Sequence, residues 1–303
     1  MGSGSQTWRS RLRCKELVLN GIGKPDLAIE IVDIAHWQPA QLVAERFGQG
    51  CVFLVGDAAH TMPPKLGLGV NTAIQSAQNL AWKLAAVLKG QAPQALLATY
   101  QAERHPVGQL ASQQSLVGPA AALLTKGSEG KLLPAEKRVS VFSLIAGYRY
   151  RSQAVLSEET APSGPTEIEL LSQPEGLTGQ PGTRVPHLWL EREGKRISTL
   201  DLLDGRFVLL TGAGGTAWSE AAAAVAAKLG IALAAYRIGS DADLLDLENG
   251  WRTRMSMGAS GVVLVRPDGF VAWRASILPA SHEELLEQVL ISILCRSTPA
   301  ICL

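Results

Sequence analysis

Cysteine is scarce and scattered. The 303 residues hold four, Cys14, Cys51, Cys295 and Cys302, with no CxxC pair and no metal-ligand spacing. A disulfide framework, a dithiol redox centre and a cysteine-ligated metal are excluded as organising features, and a reduced cytoplasmic interior is the expected setting. Charge of one sign is also missing: Lys+Arg 28 stand against Asp+Glu 27, a net +1. That leaves no basic field for nucleic acid or an anionic membrane. No apolar run reaches the roughly 18 residues of a membrane span, and the opening MGSGSQTWRSRLR has no apolar signal core, reading instead as a flexible leader over Met1–Ser5. What remains is a hydrophobic fraction of 47%, ample for a globular chain of two ordinary domains.

The most informative stretch runs from Cys51 to Arg104. Cys51–Val55 is an unbroken apolar run, the pattern of a fully buried strand. Gly56-Asp57 then sets a carboxylate where the chain leaves the sheet. Pro63-Pro64-Lys65-Leu66-Gly67-Leu68-Gly69 follows, stiff at its prolines and permissive at its glycines. Beyond it Ile74, Ala77, Leu80, Ala81, Leu84 and Val87-Leu88 recur at helical spacing. Strand, acidic turn, glycine loop and helix together suit an electron-rich group held at a helix N-terminus.

These residues resemble the second flavin-binding motif of the FAD-dependent aromatic hydroxylases, the single-component flavoprotein monooxygenases. Gly56-Asp57-Ala58-Ala59-His60, Pro63-Pro64, Gly67-x-Gly69-x-Asn71 and Ala77-x-Asn79-Leu80-Ala81-Trp82-Lys83-Leu84-Ala85 match in order, with Tyr100 and Glu103-Arg104-x-Pro106 downstream. An ordered run of this length is specific where a short match is not. Leu66 stands where the family usually has Gly, Ser76 where it is usually acidic, and Cys51 where it usually has Arg.

The resemblance implies site residues. Gly56 and Asp57 would meet the ribityl chain of FAD, the alternative for Asp57 being a turn-capping carboxylate. The backbone of Gly67, Leu68, Gly69, Val70 and Asn71 would hold the N1/C2=O edge of the flavin ring. Pro64 takes the place of a proline whose carbonyl faces the substrate pocket, and so has a positioning role toward a phenol. His60 reads as a structural histidine, and His36, His105, His187 and His282 have no partner pattern. Asn79, Trp82, Lys83, Tyr100, Glu103 and Arg104 are expected to pack and hydrogen-bond two helices against the sheet. No metal is expected.

Along the rest of the chain, Glu16–Leu19 and Leu27–Ile34 read as strands, which in the family lead to a Trp such as Trp37. Leu42, Val43 and Phe47 suggest a short helix. A second long helix is predicted from about Pro93 to Leu116, punctuated at Ala92-Pro93 and near Gly108. Val139–Tyr150 is apolar and aromatic, and Pro162–Gly182 is rich in Pro and Gly, a linker pattern. After it come a strand at Phe207–Leu210, a helix at Thr216–Leu229, a strand at Ile231–Ile238, a hairpin of Gly261–Val265 and Phe270–Trp273 across Arg266-Pro267-Asp268-Gly269, and a helix at His282–Leu294. This order resembles the thioredoxin-like C-terminal domain of polyketide hydroxylases in the same family. Where thioredoxins keep CxxC this chain has Ala213-Gly214-Gly215-Thr216, which excludes disulfide exchange. Gly212-x-Gly214-x-x-Ala217 imitates a dinucleotide fingerprint, but the next strand ends Tyr236-Arg237-Ile238 without the acidic residue such sites use.

The expected fold is therefore α/β: a partial, Rossmann-like FAD-binding domain of hydroxylase type with remnant substrate-domain strands over 1–156, a linker over 157–182, and a thioredoxin-like domain over 183–303. The family's opening GxGxxG segment has no counterpart before Glu16. The expected activity is aromatic hydroxylation with FAD, NAD(P)H and O2 on a small aromatic substrate, with an N-terminal companion segment or a second copy as partner. The alternative is a non-catalytic assembly module acting through the thioredoxin-like domain, and a third reading is a dehydrogenase using Gly212–Ala217.

Overall fold

The structure, a computed structural model, describes residues 11–35, 40–116, 139–157, 168–171 and 173–296. The leader, His36, Trp37, part of the Pro/Gly-rich segment and Cys302 lie outside the described residues. The chain divides into two compact units, Met1–Pro39 and Ala40–Leu303.

In the first unit the strand expected at Glu16–Leu19 is part of a helix, α1 (Arg11–Ile22). The sequence there lacks apolar/polar alternation, and Arg13 and Glu16 pair at 3.0 Å across one turn, a spacing that only a helix brings together. Leu27–Ile34 forms no strand, because no described segment pairs with it.

The second unit begins with two short antiparallel ribbons. Leu42–Val43 (β1) pairs with His60–Thr61 (β4), and Gly48–Gln49 (β2) pairs with Val52–Phe53 (β3). The helix expected over Leu42–Phe47 is thus replaced by a strand and a turn. Phe47 is buried, its N–H donating to the Gln101 side chain at 2.6 Å and its carbonyl accepting from Leu54 N–H. The expected buried strand over Cys51–Val55 is confined to Val52–Phe53, with Cys51 exposed and Val52 66% exposed. An apolar run is buried only where neighbours cover both edges, and among the described residues this one has a single short partner.

Two long helices follow, α2 (Leu68–Leu88) and α3 (Ala95–Ser115), packed on one another. Gly108 is not punctuation: α3 runs through it and through Pro106. The glycine serves close approach instead, since a Cβ there would lie 3.2 Å from the His60 ring and 3.3 Å from Phe47. Tyr148–Arg149 (β5) then pairs with Glu169–Leu170 (β6).

The C-terminal part has the expected thioredoxin-like order. Phe207–Gly212 (β9) lies parallel to Leu233–Ile238 (β10), joined by α4 (Thr216–Leu229). Val262–Val265 (β12) is antiparallel to β9 and to Val271–Ala275 (β13), and α5 (His282–Ile293) closes the unit. Period-two alternation sends Phe207, Leu209, Val262 and Leu264 to one face, against Trp218, Val225, Leu286 and Leu290 of the helices. That cluster also takes in Trp82, Ala86 and Leu96 of α2 and α3. Val208, Leu210, Val263 and Val265 face the other way, toward Leu190, Trp251 and Met255. The ribbon of Trp189–Arg192 (β7) and Lys195–Ser198 (β8), with Leu245–Asp246 (β11), lies beside that second cluster. Coverage on both faces explains why these strands read as continuous apolar runs.

The outer edge of β13 is closed by chain from elsewhere. Gly182 N–H donates to Val271 O, Val271 N–H to Thr183 O, and Leu156 N–H to Ala272 O. Gly182 sits at φ +89 and its carbonyl accepts from Tyr150 N–H, a close backbone approach with no space for a side chain.

Where α2, α3 and the β12–β13 turn meet, the contact is polar. Arg266 grips the Glu103 carboxylate through both terminal nitrogens, at 2.6 and 2.8 Å, and its Nε donates to Asp268 at 3.0 Å. Asp268 accepts from Asn79 and from the Trp82 indole, each at 3.1 Å. Glu103 also accepts from Asn79 at 2.6 Å, Lys83 at 2.8 Å and Ser152 at 2.6 Å. The side chains of Lys83, Glu103 and Arg266 are fully buried. Burial works to raise the Glu103 carboxyl, but attraction and hydrogen bonds from Arg266 and Lys83 outweigh it and hold the group well below the usual carboxylate range. Burial lowers Lys83 to about 8 despite Glu103 beside it. Of the residues expected to bind the helices to the sheet, Asn79, Trp82, Lys83 and Glu103 do so here, with Arg266 and Asp268 as the partners the turn supplies, whereas Tyr100 donates to Leu54 O and Arg104 bonds Ser76, Thr72, Tyr148 and Tyr150.

Two outcomes follow from this packing. Glu103→Gln leaves Arg266 and Lys83 undercompensated and should cost about 3–5 kcal/mol at neutral pH. Because the folded-state pKa lies below the unfolded value of about 4.3, Glu103 stabilises above that pH and the contribution fades as pH falls further. Urea unfolding should therefore show the gap between wild type and Glu103→Gln narrowing below about pH 4; a gap independent of pH refutes the assignment. Cys14, Cys51 and Cys295 are in no disulfide, so replacing all four cysteines by Ser should leave the fold intact, and the chain should show no thiol-dependent reduction of insulin.

Candidate cofactor-binding site

The site is built by a turn and a helix start. Val55 is extended, Gly56 turns the chain at φ +63, and a single 3-10 turn over Gly56–Ala58 is closed by Ala59 N–H on Gly56 O at 2.9 Å. A Cβ on Gly56 would lie 3.6 Å from the Ala73 side chain, so the turn rests against the second turn of α2. Asp57 is exposed, and no donor among the described residues engages its carboxylate.

The chain then reaches α2 through its prolines. Pro63 is buried, and Pro64, exposed, opens a 3-10 turn to Leu66. Gly67 ends that turn in the left-handed region (φ 62, ψ 20), which an L side chain adopts only with strain, and doubles as the cap residue of α2. Its N–H donates to Pro64 O at 3.3 Å, leaving that carbonyl a second lone pair, and Asn71 Nδ2 donates back to Gly67 O at 2.9 Å. No side chain caps the helix. The N–H groups of Leu68, Gly69 and Val70 therefore have no intrahelical acceptor, and the positive end of the helix dipole lies there. A Cβ on Gly67 would meet nothing within 4 Å, so the space beside the cap is open.

The named residues divide into two groups. Gly56 and Asp57 lie in the turn that rests against α2, with Pro64 and Gly67 on the approach and Gly69 and Asn71 in the first turn of the helix. The Leu68 side chain turns inward against Ala111 and Leu144, leaving only its backbone to serve. Val70 and Ile74, 66% and 62% exposed and one turn apart, present an apolar strip, with Leu66 exposed on the approach.

Behind this face runs a buried polar chain. His60 Nε2 lies 3.4 Å from Ser76 Oγ, which accepts from Arg104 Nε at 3.1 Å. Arg104 donates to the phenol oxygens of Tyr148 and Tyr150, each at 2.9 Å, and to Thr72 O in α2 at 3.2 Å. Burial and the Arg104 charge lower His60, keeping the imidazole neutral, and its Nδ1 has no partner. Burial opposes the Arg104 charge, but the two phenols outweigh it and the guanidinium stays protonated. Burial likewise pushes Tyr150 well above the ordinary phenol range. Buried at 1% exposure, His60 is no accessible base.

Sequence reading missed Arg266 and Asp268, which it took as turn formers, and Tyr148 and Tyr150. The available signal was charge and phenol inside otherwise apolar segments. The Gly212–Ala217 imitation resolves as packing: side chains at Gly212 and Gly215 would collide with the Gly258 and Ala259 carbonyls and with Thr211. Gly214 N–H is taken by Ala259 O at 3.0 Å. Among the described residues no group of His, Cys, Asp and Glu is placed to hold a metal, and no helix is long and apolar enough to cross a membrane.

Comparison with known proteins matches the same regions. Residues 3–115 fit the model of an FAD binding domain, and residues 178–296 that of the aromatic-ring hydroxylase C-terminal domain. The chain is 42% identical to 4-methyl-5-nitrocatechol 5-monooxygenase of Burkholderia sp over 281 residues, 93% of this chain and 50% of that protein. It is 42% identical to tetracenomycin B2 monooxygenase-dioxygenase of Streptomyces olivaceus, over 94% of this chain and 50% of the relative. A structure of aklavinone-11 hydroxylase with FAD and aklavinone superposes with a TM-score of 0.83 at 38% identity, covering 95% of this chain and 52% of that one. The chain thus spans about half the length of these relatives. The FAD binding domain match thus falls over the acidic turn and glycine loop, and the aromatic-ring hydroxylase C-terminal match over the thioredoxin-like part.

Proposed function

We propose that this chain carries the flavin-ring and ribityl side of the active site of an NAD(P)H-dependent aromatic monooxygenase acting on a small aromatic substrate. The observation that supports it is the uncapped N-terminus of α2, opened by the left-handed Gly67, beside a turn whose Asp57 carboxylate has no described protein partner. FAD bound there and reduced by NAD(P)H supplies the chemistry that places one oxygen atom of O2 on an electron-rich ring. The protein's part is to hold, orient and polarise. Asp57 accepts from ribityl hydroxyls, with Gly56 letting the backbone turn close beneath them. The N–H groups of Leu68, Gly69 and Val70, with Asn71 bracing the cap, face the ring edge where negative charge collects on reduction. Leu66, Val70 and Ile74 give an apolar surface, and the second lone pair of the Pro64 carbonyl orients a substrate hydroxyl.

On this reading residues 1–156 form the cofactor side, 157–182 a linker and 183–303 a thioredoxin-like support, in a cytoplasmic protein supplied with NAD(P)H. An N-terminal companion segment or a second copy of the chain completes the site. The fit with FAD rests on complementary parts: free amide donors for an electron-rich ring edge, a carboxylate for hydroxyls, and exposed apolar side chains for an aromatic face.

Titration of the chain with FAD, followed by flavin fluorescence, tests the assignment. Asp57→Ala should weaken binding by about 1–3 kcal/mol, the worth of a hydrogen bond to a charged acceptor. Equal affinity in wild type and variant, or no binding by wild type, removes the reading.

A further inference from the structure

The α2–α3 contact with the C-terminal sheet could have been filled with Leu and Met. It is filled instead by two cations, two carboxylates, an amide and an indole N–H, all buried. Replacing buried ion networks with apolar side chains is often neutral or stabilising, so stability alone does not account for one. What directional bonds add is register. An apolar face tolerates a small slide or rotation of a helix, whereas this network is satisfied in one placement only.

The geometry shows what is being placed. Asn79, Trp82 and Lys83 lie on one face of α2, three and four residues apart. Asp268 holds Asn79 and Trp82, while Glu103, held by Arg266, takes Asn79 and Lys83. The guanidinium stacks over the Trp82 ring at 5.2 Å as well. The grip thus fixes both the rotation and the axial position of α2, about 16 Å from its N-terminus at 1.5 Å per residue. Between grip and cap the helix is continuous, with no proline to absorb an error.

We propose that the Arg266–Asp268 turn is a positioning element for α2: the C-terminal sheet sets where the N-terminus of that helix stands. Arg266 and Asp268 are accordingly positioning residues for the site, acting through Glu103, Asn79 and Trp82. That the N-terminus so placed receives flavin rests on the reading above; that the turn places it does not. The thioredoxin-like part, which has no CxxC pair, thereby has a task of its own.

The test uses the whole chain and two conservative variants. Arg266→Lys keeps the charge but lacks the planar fork that reaches Glu103 and Asp268 together. Asp268→Asn keeps the shape but loses the charge. Hydrogen exchange is read at the amides of residues 72–78 in α2, with α4 as internal control, and FAD titration is run alongside. Both variants should exchange about tenfold faster at 72–78 with α4 unchanged, and Kd for FAD should rise by about tenfold or more, near 1.4 kcal/mol. Unchanged exchange at 72–78 overturns the proposal. So does exchange that rises equally in α4, or loss of the fold in both variants, since the turn would then be a support of the whole unit. If wild type binds no FAD while the local exchange effect is present, the positioning role stands and the flavin reading falls.

Discussion

One carboxylate gathers the second unit together. Glu103 is fully buried, and bare in such a place it would neutralise or expel itself. It stays ionised because donors from three stretches of chain converge on it: Asn79 and Lys83 from α2, Ser152 from the segment after β5, and both arms of Arg266 from the C-terminal turn. Satisfying that carboxylate therefore requires both long helices and the hairpin turn at once. Each member is individually expensive to bury, and the arrangement has no partly assembled form of comparable free energy.

The division of labour between apolar and polar contacts is clear. Alternation along β9 and β12 feeds two apolar clusters, one on each face of the sheet, and these supply the bulk of the driving force. The cluster that includes Trp82 and Leu96 already draws α2 and α3 onto the sheet. Apolar attraction sets proximity, and the hydrogen-bonded charges then set alignment. Another buried cation, Arg104, has a parallel task closer to the cap of α2, where it links Ser76 and Thr72 to the phenols of Tyr148 and Tyr150.

Much of this was legible because local rules and tertiary needs agree in the C-terminal part. Phe207–Leu210, Thr216–Leu229 and the hairpin across Arg266–Gly269 carry period and turn chemistry that nothing downstream contradicts. Reading failed where tertiary context decides. Cys51–Val55 has the composition of a central strand but, among the described residues, only β2 beside it. Leu42–Phe47 has helical spacing but is claimed by His60–Thr61 and by the Gln101 side chain. Pro106 and Gly108 look like breakers, yet α3 passes through both, because Gly108 is required by the closeness of Phe47 and His60. At the site, the turn and loop were visible as a motif. The carboxylate-centred grip behind them was not, since its members are separated by up to 189 positions in sequence.

The closed edge of β13 bears on how such a protein can be cut and recombined. That strand is capped by Leu156 from one side of the Pro/Gly-rich segment and by Gly182 and Thr183 from the other. An extra strand, from another copy or from an inserted domain, finds those backbone groups taken; at the opposite edge of the sheet, Leu244 in turn bridges the end of β10 at Ile238. A portable version of the thioredoxin-like part must accordingly carry the Leu156 and Gly182 stretches with it. The smallest piece that could be exchanged between family members is larger than its sheet and helices, and its borders lie in backbone hydrogen bonds rather than at the compositional break.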